Sequence, residues 1–153
     1  MNLLLRLIRV LLTAVCRPPL GILDESVVTF RVWPTDLDLN GHMNNGRYLT
    51  LMDLGRIDLM ARSGLARVAL RRGWRPVVGS ATIRFHRALK LFHRYELKTR
   101  VVGWDAKWFY IEQRFEREGA VAAFGLAPRG GQSATRRQCE RSFAISPGAG
   151  GSA

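Results

Sequence analysis

Cysteine is nearly absent from this chain. Of 153 residues only Cys16 and Cys139 carry a thiol, each in a terminal segment and far from the other. Two such cysteines make no disulfide framework, and neither has metal-ligand spacing, so a reducing compartment is the simpler setting. Long apolar runs are missing as well. The longest, residues 3–15, is broken by Arg6 and Arg9. A membrane-crossing helix needs ~20 apolar residues, so this run is too short and too charged to cross. Lysine is scarce, and almost all of the positive charge is arginine. No Lys/Arg block and no known nucleic-acid motif occurs, which argues against nucleic acid as a partner.

Acidic residues are outnumbered, 12 Asp+Glu against 24 Lys+Arg, for a net charge of +12. A basic balance suits anionic partners such as anionic lipid or a phosphate-bearing ligand. An arginine-rich surface of no functional meaning explains the same number. With 47% apolar residues the chain has enough hydrophobic content for one domain with a real core.

Residues 3–15 read as a helix. Asn2, Arg6, Arg9 and Thr13 fall on one narrow stripe, and Leu, Ile and Val cover the rest. That pattern suits a helix lying in a membrane interface with its arginines toward lipid phosphates. A helix docked on the protein's own body or on a second subunit is the other reading. A cleaved signal peptide fits less well, because the arginines sit inside the apolar stretch and no small-x-small site is clear.

Arg17-Pro18-Pro19-Leu20-Gly21 stops this helix. Residues 26–33 are rich in β-branched and aromatic side chains and read as a strand ended by Pro34. Residues 45–63 read as a long helix with little polar surface, hence buried. Asn44 is its N-cap and Ser63-Gly64 its stop. A short basic helical piece, Leu65 to Arg72, and a turn at Gly73-Trp74-Arg75-Pro76 follow. From Val77 the period becomes two. Gly79, Ala81, Ile83 and Phe85 share one face, then Tyr95, Leu97, Thr99 and Val101, then Phe109, Ile111, Gln113 and Phe115. Residues 121–126 are a fourth, shorter run, and Gly103–Lys107 and Glu118-Gly119 are hairpin-like connections. The order is strand, buried helix, antiparallel meander: an α+β arrangement with the sheet wrapped around the helix. Three parts result: residues 1–20 as helix and linker, 21–127 as the domain, and 128–153 as a disordered low-complexity tail.

The most polar turn lies between the first strand and the long helix. Residues 35–45 hold Asp36, Asp38, Asn40, Gly41, His42, Asn44 and Asn45. Asp36 and Asp38 alternate with leucines, so both carboxylates face one way just before a helix. Helix N-terminal amides carry partial positive charge and free N–H donors. A carbonyl placed there is polarised as in an oxyanion hole, and a nearby carboxylate can attack it or activate a water. For a generic D-x-D before a helix, capping of a turn is the better explanation.

The run Asp36-Leu37-Asp38-Leu39-Asn40-Gly41-His42-Met43-Asn44-Asn45-Gly46-Arg47-Tyr48 resembles the signature of hotdog-fold acyl-CoA thioesterases. More narrowly it resembles the hydroxybenzoyl-CoA thioesterase-like branch, with its pattern D-x-D-x-x-G-H-x-N-N-x-x-Y, and within it a bacterial, membrane-peripheral subgroup. The likeness covers residues from about 24 to 126. It implies Asp38 as the catalytic carboxylate and the backbone N–H of Asn45 as the group that polarises the thioester carbonyl. Asp36, Gly41, His42 and Asn44 would shape the turn. Tyr48, Arg84 and Arg87 are the candidates for substrate contact, the arginines toward the phosphates of CoA. The resemblance further implies a homodimer or dimer of dimers, no cofactor beyond the CoA substrate, and a cytoplasmic setting, peripheral on the inner membrane through residues 1–16.

His42, His86 and His93 lie on different elements without carboxylates at ligand spacing, so no metal is expected. Trp33, Trp74, Trp104 and Trp108 suit core or dimer contacts better than ligand stacking. One departure concerns Ala127-Pro128, which is expected to cut the last strand at Leu126, as after a shifted reading frame. That feature supports a second reading, a non-catalytic acyl-binding or membrane-associated hotdog scaffold. A hotdog hydratase would need a His–Asp pair on a differently spaced motif, which is not found.

Overall fold

The computed structural model describes residues 3–71, 76–78, 82–104 and 108–131. Helix α1 (Leu3–Cys16) comes first, then strand β1 (Ser26–Arg31) and one 3-10 turn at Pro34–Asp36. Helix α2 (Asn45–Arg62) and the short α3 (Leu65–Arg71) follow. The rest is β: β2 (Pro76–Val78), β3 (Thr82–Phe85), β4 (Arg94–Trp104), β5 (Trp108–Arg117) and β6 (Ala120–Gly131). All pairings are antiparallel, in the order β1-β4-β5-β6-β2, with β3 also on β6. Glu118 and Gly119 join β5 to β6 with φ of 51° and 75°, the positive values a two-residue hairpin turn needs.

Period-two patterning decides which face is inside. Tyr95, Leu97, Thr99 and Val101 of β4 are buried, as are Ile111, Gln113 and Phe115 of β5. Against this face lies α2, burying Tyr48, Leu51, Met52, Leu54 and Leu59. The sheet therefore wraps one helix, the hotdog arrangement. Phe30, Tyr95, Phe115, Tyr48 and Phe85 form a chain of ring contacts with centroids 4.9–6.0 Å apart, running from β1 to β3.

The helix is less apolar inside than the sequence suggests. Arg56 and Asp58 are buried on it. Gly55 explains how they fit. A Cβ there would lie 2.6 Å from Thr99 Oγ1 and 3.0 Å from Gln113 Nε2, so glycine lets the helix come close to the sheet. Beside it Arg56 Nε donates to Gln113 Oε1 (2.9 Å), and Gln113 Nε2 donates to the Met52 carbonyl (2.8 Å). Asp58 accepts from Ser26 Oγ at 2.5 Å. Buried polar groups are tolerated when partnered in this way. Burial lowers the Arg56 pKa, and Asp53 at 2.7 Å opposes that shift.

Two expectations need correction. First, β6 does not stop at Leu126. It runs through Pro128 to Gly131, with Pro128 opposite Tyr110 of β5. On its other side β6 pairs Leu126 with Thr82 of β3 and Arg129 with Val78 of β2. The strand expected from Val77 is described on either side of residues 79–81, as β2 and β3 on the same neighbour β6; residues 79–81 themselves lie outside the described residues. So do 72–75 with Trp74, 105–107, and 132–153 with Cys139. Second, α1 is docked on the protein's own body, the other reading of residues 3–15, and Arg6 faces inward rather than toward lipid. Arg6 is 2% exposed and points inward with Leu3, Leu7, Val10 and Ala14, while Leu4, Leu5, Ile8, Leu11, Leu12 and Val15 are exposed. An ion pair to the body holds Arg6 inward, and the outward face is mostly apolar, with Arg9 on it.

Candidate active site

Pro34 ends the first strand segment and starts a tight turn, after which residues 36–44 fold into a small hairpin. The Asn44 amide donates to the Asp36 carbonyl (2.8 Å), Leu37 bridges Met43, and the Asp38 amide donates to the His42 carbonyl (2.8 Å). At the tip, Gly41 takes φ +71°, a left-handed conformation that glycine adopts without cost. The hairpin delivers the chain directly to the start of α2. There Asn44 is the N-cap, as its sequence position predicts, and its Oδ1 accepts from the Gly46 amide (2.8 Å).

Asp38 is held by the hairpin it belongs to. Its Oδ1 accepts from the Asn40 amide (2.8 Å) and the His42 amide (3.1 Å). Among the described residues no donor is assigned to Oδ2, which leaves that oxygen for a substrate or a water. Asn45 opens the helix, and among the described residues no acceptor takes its N–H. Asp38 and Asn45 both line one cleft of about 250 Å3. Its other walls are His42, Met43 and Tyr48, then Phe85, His86, Arg87 and Ala88 beyond the end of β3. The cleft thus has a carboxylate, an amide at a helix N-terminus with no described acceptor, an aromatic wall and one guanidinium.

A larger concavity, about 460 Å3, lies on the outer side of β1, β4 and β5. Its charges answer one another, with Lys98 2.6 Å from Glu116 and 3.8 Å from Glu96. It contains none of the motif residues, and the smaller cleft is the one with reactive groups.

The sequence candidates separate cleanly. Asp38, Asn45, His42, Tyr48 and Arg87 meet at the cleft; Arg84 does not, because β3 alternation puts Phe85 on the cleft side and Arg84 on the other. Gly41 and Asn44 shape the turn and the cap. Asp36 is 1% exposed and lies beneath the hairpin, not in the cleft. Tyr48 is a wall rather than a hand: it is 2% exposed, stacked edge-on against Phe85 and Phe115, and its hydroxyl bonds the Leu89 backbone. Burial raises its pKa, and the Leu89 bond offsets part of that. His86 is the cleft residue that sequence reasoning misses. Spacing presents it only as a metal candidate, and its one signal is its place beside Arg87 at a strand end. Among the described residues no cluster of three metal-ligating side chains occurs.

A family described as the thioesterase-like superfamily matches residues 32–136, a span that includes the whole motif and continues beyond Pro128. The zebrafish (Danio rerio) protein THEM6 is 43% identical over 111 residues, covering 71% of this chain and 55% of that one. Similar THEM6 proteins occur in Xenopus laevis and Drosophila melanogaster, so these curated relatives are eukaryotic rather than bacterial. The chain spans about half the length of the curated relatives it matches. Among solved structures, the probable thioesterase YbaW of Escherichia coli superposes with a TM-score of 0.70 at 21% identity, over 76% of this chain and 96% of that one. A thioesterase of Thermus thermophilus complexed with coenzyme A and Zn superposes with a TM-score of 0.62 at 28% identity, over 72% of this chain and 86% of that one.

Proposed function

Because the chain belongs to the thioesterase-like superfamily, we propose that its cleft hydrolyses an acyl-CoA thioester to a carboxylic acid and free CoA. The observation that carries this reading is that the Asp38 carboxylate and the Asn45 N–H open onto one cleft. The thioester carbonyl oxygen accepts from the Asn45 N–H, where the α2 dipole adds to the polarisation. Asp38 Oδ2 then attacks the carbonyl carbon, or takes a proton from a water that does. The C–S bond breaks and CoA leaves as the thiol; where Asp38 is the nucleophile, a water then cleaves the mixed anhydride it has formed, so either route consumes one water and returns the Asp38 carboxylate. Arg87, with His86 beside it, meets the anionic part of CoA at the rim. That a related thioesterase was crystallised with coenzyme A supports this class of substrate.

The competing scaffold reading leaned on an interrupted last strand, and β6 is continuous to Gly131. Two further features complete the proposal. A second copy pairs along β3, whose described partner is β6 on one side alone. And α1 rests on a membrane surface by its exposed face, Leu4, Leu5, Ile8, Leu11, Leu12 and Val15, with Arg9 beside it. No described helix is long and apolar enough to cross a membrane.

The test is thiol release from acetyl-CoA, palmitoyl-CoA and benzoyl-CoA. Turnover of at least one identifies the substrate class. Release no faster than in buffer from all three contradicts the reading.

A further inference from the structure

Arg6 and Asp36 are 30 positions apart, yet they form a buried ion pair, Arg6 Nη2 to Asp36 Oδ2. Both are closed to solvent, at 2% and 1% exposure. The same guanidinium donates to the Arg31 carbonyl at the end of β1 (3.2 Å). Asp36 is a junction in its own right. Its Oδ2 also accepts from the Trp33 amide (2.9 Å), and its carbonyl accepts from the Asn44 amide (2.8 Å), closing the hairpin that carries Asp38. One guanidinium therefore ties α1, the end of β1 and the base of the hairpin together.

We propose that Arg6 is a positioning residue for the Asp38 carboxylate, acting through Asp36; this rests on the catalytic reading of Asp38 above. Asp38 stands two residues beyond Asp36 on an extended stretch, so a shift at the base moves the carboxylate relative to the Asn45 N–H. Arg6 reaches that base from a helix whose Val10 and Ala14 are buried against the body. The other cation near Asp36 is a poorer anchor. Arg47 Nε lies 3.7 Å from Asp36 Oδ1, and that side chain is 36% exposed. Charge pairing in a water-poor interior is stronger and less screened than at the surface. Small displacements of a reacting group cost rate far more than affinity when binding contacts lie elsewhere.

The experiment compares the full chain with Arg6→Met, Arg6→Lys and the neutral pair Arg6→Met/Asp36→Asn. Thiol release gives kcat and KM, and amide hydrogen exchange reports on the hairpin. The expected result for Arg6→Met is a kcat at least about tenfold lower with KM within about twofold. The Asn40, His42 and Asn44 amides exchange faster while those of β4 and β5 do not, and Arg6→Lys recovers part of kcat. The neutral pair removes the lone buried charge, so it folds even where Arg6→Met does not. It is expected to remain slow, because the link is still missing. Parental kcat and parental hairpin exchange in Arg6→Met, or parental kcat in the neutral pair, overturns the proposal. Should the parent release no thiol from any of the three acyl-CoAs, the thioesterase reading falls and exchange alone decides. Faster exchange confined to residues 36–46 then supports Arg6 as the anchor of the hairpin, and unchanged exchange overturns it.

Discussion

Asp38 and His42 are joined twice across the hairpin: the Asp38 amide donates to the His42 carbonyl (2.8 Å), and the His42 amide donates to the Asp38 carboxylate (3.1 Å). This double link depends on the left-handed turn at Gly41 between them. A β-branched residue there pays about 1–2 kcal/mol for that conformation. Gly41→Val is therefore expected to lower stability by about that amount in urea titration. It should lower kcat more than KM, since it loosens the carboxylate and leaves the walls in place. A variant as stable and as active as the parent contradicts this.

Midway along α2 the close approach of Gly55 to Thr99 makes a second prediction. Alanine ordinarily stabilises a helix by about 1 kcal/mol over glycine. Here its Cβ would meet Thr99 Oγ1 at 2.6 Å, and overpacking costs typically about 1–3 kcal/mol. Gly55→Ala is expected to melt at lower temperature than the parent. A higher melting temperature would show that the helix and sheet have room to separate.

The sequence was most informative where spacing carries the chemistry. The thirteen positions from Asp36 to Tyr48 located the turn, the N-cap at Asn44 and the helix start at Asn45, because each depends on near neighbours in the chain. Period-two alternation sorted β4 and β5 into inner and outer faces for the same reason. What escaped it depends on distant partners. Arg6 looks lipid-facing on a helical wheel and is turned inward by Asp36, 30 residues on. Arg56 is buried on a helix read as nearly all apolar, and its partner is Gln113, 57 residues away. Pro128 looks like a strand break, yet it pairs with Tyr110 of β5 in a strand that runs on to Gly131.

His93 gives the pH dependence. Its Nδ1 accepts from the Lys90 amide (3.0 Å), and Arg117 lies 2.7 Å from its ring nitrogens. Burial and then the Arg117 charge lower its pKa. Between that lowered value and the ordinary value of about 6.5, the unfolded chain holds the proton and the folded chain does not. Stability is thus fully present above about 6.5 and is lost as pH falls toward the folded value. The urea midpoint should drop between about pH 7.5 and 5.5 by more in the parent than in His93→Gln. Equal drops contradict the assignment.

The exposed face of α1 predicts lipid binding that depends on apolar contact as well as charge. The full chain should cosediment with vesicles containing phosphatidylglycerol. Leu12→Glu should weaken this severalfold, since Leu12 is 64% exposed and a charge there opposes insertion. Thiol release from a soluble acyl-CoA should be unaffected. No sedimentation of the parent, or equal sedimentation of the variant, excludes this face as the membrane contact.

The measurement closest to the central claim is thiol release by the parent and Asp38→Asn, on whichever acyl-CoA the parent prefers. The amide keeps the shape of the side chain and removes the charge that attacks or takes the proton. A nucleophile or general base contributes typically about 10²–10⁴-fold, so kcat should fall by that factor with KM little changed. Equal rates in the two proteins would contradict the assignment of this cleft as a thioester-hydrolysing site built on Asp38.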